Sequence, residues 1–297
     1  VIQMIRAAGY LADYEYGCLE QTINRFMPNI FLMEMLENSS YAGLVPEKLR
    51  DNLPAVVDDG IRRIEQFQNY DGSWGWWEGD RGNGYTTGFA LFALHSAGSR
   101  GYRVSSKAVS SGLAAIERMF QNREIQTSDE LSYLFYIYSL YGKWNHDMFK
   151  QLADVKQINA YMAANLLKAA VLRINRGGDS FEISEVQKEI TSLRRVIYTT
   201  AKYDSMGIYW TAGREQSWGW AGGTAEITAH VLSALVLSGD TGELGAKAYV
   251  SLSKRFKGDR WTSTKTTGTV IIAMCEYLKN RGTGFEPEGS ISFRLNG

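Results

Sequence analysis

A thiol and a primary carboxamide lie three residues apart near the start of this chain, in the stretch YEYGCLEQ at residues 14–21. If a helix begins there, Cys18 and Gln21 share one face, and the cysteine sulfur can reach the side-chain carbonyl carbon of the glutamine. Loss of ammonia from that pair would leave an internal thioester, which is an acyl group activated by a thiolate leaving group. The spacing therefore makes Cys18 and Gln21 the candidate reactive residues.

A thioester must be shielded from water until its target arrives, because water is far more concentrated than a tethered amine. Aromatic side chains exclude water without adding a nucleophile. We expect a helix N-terminus at Cys18 to lower the pKa of its thiol. We expect the shielding rim around it to be formed by Tyr14, Tyr16, Glu20, Trp76, Trp77 and Trp220.

Six apolar stretches that open with small and hydroxyl-bearing residues predict the helices that would position this pair. Each stretch is apolar around most of its circumference, which is typical of a buried helix. The six begin near Cys18, Tyr85, Ser128, Asn159, Thr224 and Thr264.

More polar, amphipathic helices are predicted between the buried ones, at residues 46–68, 105–121, 183–201 and 243–254. Such alternation, at a spacing of roughly 40 to 60 residues, is typical of a repeated helical hairpin. Six hairpins predict an all-α fold, an α/α toroid in which outer helices surround an inner ring, with an open superhelix as the alternative. In the toroid all inner helices begin on one rim, so that rim would carry Cys18.

The toroid is predicted to span residues 1–283. Residues 284–297 follow a glycine-rich break and contain the alternating segment ISFRL, which is typical of a strand. Because one strand cannot stand alone, we assign this linker and strand to a neighbouring β-domain. The N-terminal residues have no signal-peptide pattern, and we expect the chain to be a fragment of a longer protein.

Composition limits the classes of partner. The chain has 297 residues, 44% of them hydrophobic, so it can bury a large core. Its formal net charge is zero and it has no basic stripe, so we expect no nucleic-acid partner. No apolar run reaches the roughly 20 residues of a membrane span, so we expect no direct membrane insertion by this fragment.

Other chemistries fit the sequence less well. A cysteine hydrolase needs a histidine beside Cys18, but His95 and His146 are predicted on the opposite rim, after inner helices, and His230 within an inner helix. Neither cysteine has a partner at metal-ligand spacing, so we expect no metal, and we expect no cofactor. Cys18 is predicted at the start of one helix and Cys275 late in another, near opposite rims, so we expect no disulfide between them. One alternative stays open, a carbohydrate-active enzyme with paired rim carboxylates drawn from Glu20, Glu78, Asp80 and Glu226.

The octet around Cys18 resembles the thioester signature of the α2-macroglobulin and complement family, and its CLEQ form is closest to the bacterial members. The chain departs from the bacterial pattern at Glu15, where proline is usual. Residues 68–75 are similar to the Gln/Trp turn that related toroids share, and the threonine-rich helix starts near Thr224 and Thr264 are typical of the family.

This resemblance implies the thioester domain of a bacterial protease trap, a single-turnover covalent inhibitor rather than an enzyme. In such a protein, cleavage of a bait region elsewhere exposes the thioester, and a lysine amine of the attacking protease reacts with the acyl carbon of Gln21. The resemblance also implies flanking β-domains, export to the periplasm or cell envelope, and a lipid anchor on the full-length protein. Residues 126–130 contain no histidine where the complement branch has its relay histidine, which favours amines over hydroxyls as targets.

Overall fold

The computed structural model describes residues 1–14, 17–37, 39, 41–125, 127–154, 158–211, 222–240 and 242–281. The chain there is predominantly helical. The helices are α1 (Ile2–Ala12), α2 (Leu19–Leu36), α3 (Glu47–Gln66), α4 (Gly84–Gly98), α5 (Ser106–Gln121), α6 (Ser128–Leu140), α7 (His146–Ala153), α8 (Ala160–Arg176), α9 (Ser180–Thr199), α10 (Thr224–Leu237), α11 (Glu243–Lys254) and α12 (Thr264–Arg281), with a short 3-10 helix at Ala42–Leu44.

The six even-numbered helices form an inner ring. Each packs against the next, and α12 packs against α2, which closes the ring. The odd-numbered helices pack on the outside, each against the inner helix before or after it in the chain. The predicted α/α toroid with six inner helices is therefore confirmed, and closure of the ring rules out the open superhelix.

Side-chain caps fix where the inner helices begin. Asn83, Thr127 and Asn159 each accept a backbone N–H from the first turn of α4, α6 and α8, respectively. The Ser263 hydroxyl accepts the N–H of Thr266 at 3.1 Å at the start of α12. These residue types at these positions satisfy N–H groups that a helix start otherwise leaves unpaired, which is why the sequence located the inner helices correctly.

Two outer helices and a hairpin were not among the elements named from the sequence. Helix α1 buries Met4 and Leu11, and the eight-residue α7 buries Phe149 and Leu152. Strand β1 (Lys202–Asp204) pairs antiparallel with β2 (Gly207–Tyr209). Such short elements span too few periods for a hydrophobic pattern to be recognised.

Three tryptophans take equivalent positions on connections between an outer helix and the next inner helix. In each case the indole N–H donates to a carbonyl near the end of the outer helix, and the backbone N–H donates to a threonine hydroxyl of the inner helix. These Trp–Thr clamps are Trp74–Thr87, Trp210–Thr228 and Trp261–Thr267, with N–H to hydroxyl distances of 3.0, 3.2 and 3.1 Å, and their indole acceptors are the carbonyls of Ile64, Ile197 and Leu252.

The tryptophans of the clamps are buried. Trp74 and Trp261 are only 0% and 3% exposed and are fixed between helices. Their role is to join successive hairpins, as the resemblance of residues 68–75 to a packing turn indicated.

Two further expectations concern the C-terminal segment and membrane insertion. The linker and strand predicted at residues 284–297 lie outside the described residues. Within the described part of the chain, none of the helices combines the length and the apolar character that crossing a bilayer requires.

Candidate thioester site

Cys18 is the N-cap residue of α2, and its side chain and that of Gln21 cap the helix start reciprocally. The Cys18 backbone N–H donates to Gln21 Oε1 at 3.3 Å, and the backbone N–H of Gln21 donates to the Cys18 side chain. Cys18 is extended, with φ −62° and ψ 176°, as a capping residue must be. The arrangement is a capping box in which a thiol and a carboxamide take the places of the usual hydroxyl and carboxylate.

Gly17 makes room for this arrangement. A Cβ atom added at position 17 would overlap Gln21 Cβ and Oε1 and would lie 3.1 Å from the carboxamide carbon Cδ. The glutamine side chain therefore folds back against the backbone that precedes Cys18, a position open to it only because residue 17 has no side chain.

The Cys18 thiol is buried, with 8% of the residue exposed, and burial raises its pKa. The carboxylate of Glu20 raises the pKa further, whereas backbone N–H groups of the first turn lower it. The expectation that the helix N-terminus would lower the pKa overall is wrong, because loss of hydration of the thiolate outweighs the hydrogen bonds at the helix start.

The loop that carries Trp76 and Trp77 lies directly against the start of α2. The backbone carbonyl of Trp76 accepts the N–H of Leu19 at 2.8 Å. The side chains of Trp76, Trp77 and Tyr14 are 40%, 56% and 37% exposed, and the Tyr14 ring packs edge-on against Tyr10.

Shielding of the thiol by these aromatic residues stays a prediction. Of the other residues named for the rim, Tyr16 and Trp220 lie outside the described residues.

Glu20 is 7% exposed and is held in a polar network at the ring closure. Its carboxylate accepts hydrogen bonds from Asn24 Nδ2 at 2.6 Å and from the Thr264 hydroxyl at 2.9 and 3.1 Å, so it ties α2 to α12. Burial raises the pKa of Glu20 despite these bonds and the nearby Lys265. Glu20 is therefore a structural link between α2 and α12.

A second buried carboxylate faces the same cleft on the rim. Glu226, at the start of α10, is 1% exposed, and its Oε1 lies 2.6 Å from Lys265 Nζ. The cleft is lined by Glu20, Trp76, Tyr85, Glu226, Lys265 and neighbouring residues at the inner-helix starts. This convergence shows that α2, α4, α10 and α12 begin on one rim, as predicted.

The structure separates the four carboxylates considered for a carbohydrate-active enzyme. Glu20 and Glu226 share the cleft, but both are engaged by side chains of α12. Glu78 and Asp80 are exposed on the Trp76 loop, and Asp80 accepts the Trp77 backbone N–H at 3.0 Å. The Glu226–Lys265 pair was not recognised as a pair, because only the ring closure brings α10 and α12 together.

None of the three histidines touches the thiol. His95 lies in the last turn of α4 against Tyr141, and His146 begins α7, where its Nε2 lies 2.9 Å from Glu185. His230 is within α10, as predicted, with its ring edge-on to Tyr161 at 4.9 Å. Cys275 is a buried free thiol in α12 near Met4, so the two cysteines form no disulfide.

Comparison with known proteins agrees with this geometry. A family profile described as the A-macroglobulin TED domain matches residues 3–212. The α2-macroglobulin of Thermotoga maritima is 25% identical over 234 residues, which are 70% of this chain and 14% of that protein.

Two solved structures of Escherichia coli α2-macroglobulin share the fold. The native protein from domain MG7 to the C-terminus superposes with a TM-score of 0.70 at 19% identity, covering 92% of this chain and 42% of that one. The trypsin-activated form superposes with a TM-score of 0.63 at 19% identity, covering 90% and 17%.

Fold and site together define an α/α toroid with a cysteine–glutamine pair on the rim where its inner helices begin. The chain belongs to the A-macroglobulin TED domain family, since the match covers most of its length. It spans only 14% of the length of its Thermotoga relative.

Proposed function

We propose that this chain is the covalent-capture domain of a protease-trapping inhibitor, and that Cys18 and Gln21 form its internal thioester. The observation that carries the proposal is the reciprocal capping of Cys18 and Gln21 at the buried start of α2. The E. coli relative whose fold it shares is described as activated by trypsin, which supports a protease as the partner. As part of the same proposal, we propose that the protein is exported to the cell envelope.

Formation of the bond requires only this pair. The Cys18 sulfur attacks Gln21 Cδ, the carbon–nitrogen bond of the carboxamide breaks, and the thiol proton leaves with the departing ammonia. The Cys18 backbone N–H, which already donates to Oε1, would stabilise negative charge on that oxygen in the tetrahedral intermediate. Because the thiol and the carboxamide lie on one helix turn, they react within one molecule and need no collision between separate molecules.

In the capture step, the bond between Gln21 Cδ and the Cys18 sulfur is exchanged for a bond between Cδ and a nitrogen atom. An uncharged lysine amine of the target attacks Cδ, an amide bond forms, the carbon–sulfur bond breaks, and the amine proton is transferred to the departing sulfur. Each molecule captures once, because the free thiol has no way to recover its acyl group. The environment that raises the pKa of Cys18 also disfavours thiolate departure, so the bond is protected while the site stays buried.

The test is the intact mass of protein purified without amines, before and after methylamine, with peptide mapping of residue 21. We expect a mass one ammonia below the sequence value, no alkylation at Cys18, and addition of methylamine to Gln21 with release of the thiol. Cys18→Ala should abolish the mass deficit and the methylamine addition, and Cys275→Ala should change neither of them.

The same purified protein distinguishes a thioester that has been hydrolysed from one that never formed. A bond that has formed and then reacted with water leaves glutamate at position 21, and this conversion must disappear in Cys18→Ala. If position 21 is an unaltered glutamine and Cys18 is fully alkylated in the unmutated protein, no thioester has formed and the proposed function is wrong.

The carbohydrate-active alternative has no comparable support. Its two cleft carboxylates, Glu20 and Glu226, are each bound by side chains of α12, and the family match points elsewhere.

A further inference from the structure

The ring of inner helices encloses an axial cavity of about 250 Å³ that is separate from the Cys18 pair. Each inner helix presents residues spaced three or four apart to it, for example Glu226, His230, Ser233 and Leu237 of α10. Its walls are mostly apolar and aromatic, and Leu237 at one end is 39% exposed. The apolar lining includes Phe31, Phe89, Phe92, Tyr133, Tyr136 and Leu172.

Lys168 of α8 brings a cation into this apolar cavity. The residue is 4% exposed, and its Nζ lies 3.8 Å from the centre of the Tyr136 ring. Among the described residues, this ammonium group has no hydrogen bond or salt bridge, and the carboxylate that acts on it from a longer distance is Glu276. A buried ammonium without an acceptor is costly, so the group is suited to binding something that enters the cavity.

The other cations on the cavity wall have partners. Arg100 pairs with Glu34 at 2.7 Å, and Lys265 pairs with Glu226 at 2.6 Å. Each of these two cations is therefore already paired with a carboxylate of the protein. Lys168 is therefore the cation on the described wall that is left to attract an anion.

The remaining polar groups near Lys168 are Glu276, Ser233 and His230. Glu276 accepts the Ser233 hydroxyl at 2.5 Å, and burial raises the pKa of Glu276. Burial and the neighbouring lysines lower the pKa of His230, so its ring is neutral. Lys168 is thus the polar group of the lining that can bind a carboxylate directly, since Glu276, which favours the charged form of the lysine, makes no bonding contact with it.

We propose that the axial cavity binds a small amphiphilic monocarboxylate, with its carboxylate on Lys168 and its apolar body against the aromatic wall. A volume near 250 Å³ is below that of pockets for drug-sized ligands, so the ligand has one short chain or one ring. The site does not involve Cys18 and does not depend on the proposed thioester.

The experiment measures binding by isothermal titration calorimetry to the Cys18→Ala chain, which prevents acyl transfer from contributing. The probes are octanoate, octanol and octylamine, which share a chain and differ in head group. We expect octanoate to bind at least tenfold more tightly than octanol, because its charged acceptor meets the ammonium group, and we expect no binding of octylamine.

Two lysine variants test the position of the carboxylate. Lys168→Met keeps the length of the side chain and removes its charge, and we expect it to weaken octanoate binding at least tenfold. Lys188→Met, at an exposed lysine on α9, is the matched control and should leave the affinity unchanged.

A third variant tests the cavity itself. Thr269→Leu adds volume to the wall from α12 without altering a charge, and it should weaken octanoate binding even if Lys168→Met does not fold. No measurable binding of octanoate, or equal binding by the unmutated chain and a folded Lys168→Met or Thr269→Leu variant, would overturn the proposal.

Discussion

At the scale of single residues, the start of α2 combines two requirements that oppose each other. In the proposed thioester, the Cys18 sulfur must be close enough to Gln21 to react, and the same position must keep water out. Reciprocal capping satisfies the first requirement and burial the second. The raised pKa of Cys18 follows from that burial, and it favours a sulfur that is bonded or protonated over a free thiolate.

Gly17 provides the sharpest residue-scale prediction. In Gly17→Ala the new methyl group overlaps the Gln21 side chain and must displace it from Cys18. We expect the mass deficit and the methylamine incorporation to be lost, whereas the far-ultraviolet circular dichroism and the urea midpoint change little. Intact-mass spectrometry checks the loss of the mass deficit and of methylamine incorporation, and circular dichroism with urea titration checks that the fold is retained.

Gly9→Ala is the matched control for this substitution. Gly9 lies within α1 with open space around it, and alanine there should stabilise the helix by about 0.5–1 kcal/mol. Gly17→Ala protein that keeps the full mass deficit would show that the position of the glutamine side chain does not limit thioester formation.

At the scale of elements, the toroid is built from hairpins joined by the three Trp–Thr clamps. Each clamp uses one indole N–H and one backbone N–H of a buried tryptophan, so the outer helix, the connection and the inner helix are fixed together. The clamp at Trp74 also fixes the loop whose Trp76 carbonyl accepts the Leu19 N–H. Packing between hairpins therefore positions the surface above the thiol.

Removing the threonine hydroxyl of a clamp tests this account. Thr87→Val keeps the shape of a fully buried side chain but leaves the Trp74 backbone N–H without its acceptor. We expect the free energy of unfolding to fall by about 1–3 kcal/mol, measured by urea denaturation. Thr267→Val should behave alike, because it removes the equivalent acceptor of Trp261.

An exposed threonine serves as the control for the clamps. Thr191→Val on the outer surface of α9 should change the free energy of unfolding by no more than about 0.5 kcal/mol. Equal effects of Thr87→Val and Thr191→Val would mean that the clamp hydrogen bonds contribute no net stability.

At the scale of the whole molecule, ring closure creates both the rim cleft and the axial cavity. Glu20 of α2 meets Thr264 of α12 across the closing seam, and a Cβ atom at Gly268 would overlap the Asn24 amide oxygen. The seam is thus as closely packed as the rest of the ring. Closure also places Lys168 in an interior that no single hairpin could form.

The charge on Lys168 gives a stability prediction with a definite pH window. Burial lowers the pKa of Lys168 from 10.5 to about 8, against the opposing effect of Glu276. Between these two values the unfolded chain holds a proton that the native protein has released, so the free energy of unfolding rises with pH. Below pH 8 the native protein bears the full cost of the buried charge.

Lys168→Met removes this cost. We expect the variant to exceed the unmutated protein in free energy of unfolding by on the order of 3 kcal/mol at pH 7, a difference that shrinks as the pH approaches 10. Urea denaturation at several pH values measures it, and Lys188→Met should show no such trend. If the difference in free energy of unfolding between Lys168→Met and the unmutated protein stays constant from pH 7 to 10, the pKa of Lys168 is not lowered and its amine is solvated.

The sequence by itself determined the parts of this protein that depend on local spacing. The Cys18–Gln21 spacing and the polar residues at helix starts, such as Asn159, act within one helix turn, so the candidate pair and the inner-helix starts could be predicted from the sequence. The alternation of buried and amphipathic helices predicted the toroid, because a helix that is apolar on all sides must be surrounded by others.

Only the tertiary structure decided which residues from distant helices meet. The Glu226–Lys265 pair, the link from Glu20 to Thr264 and the isolated ammonium of Lys168 each depend on ring closure. The direction of the Cys18 pKa shift was also a tertiary outcome, since the effect of the helix start is local but burial depends on everything packed around it. Spacing in the sequence encodes contacts within a helix, whereas contacts across the ring are set by how the inner and outer helices pack together.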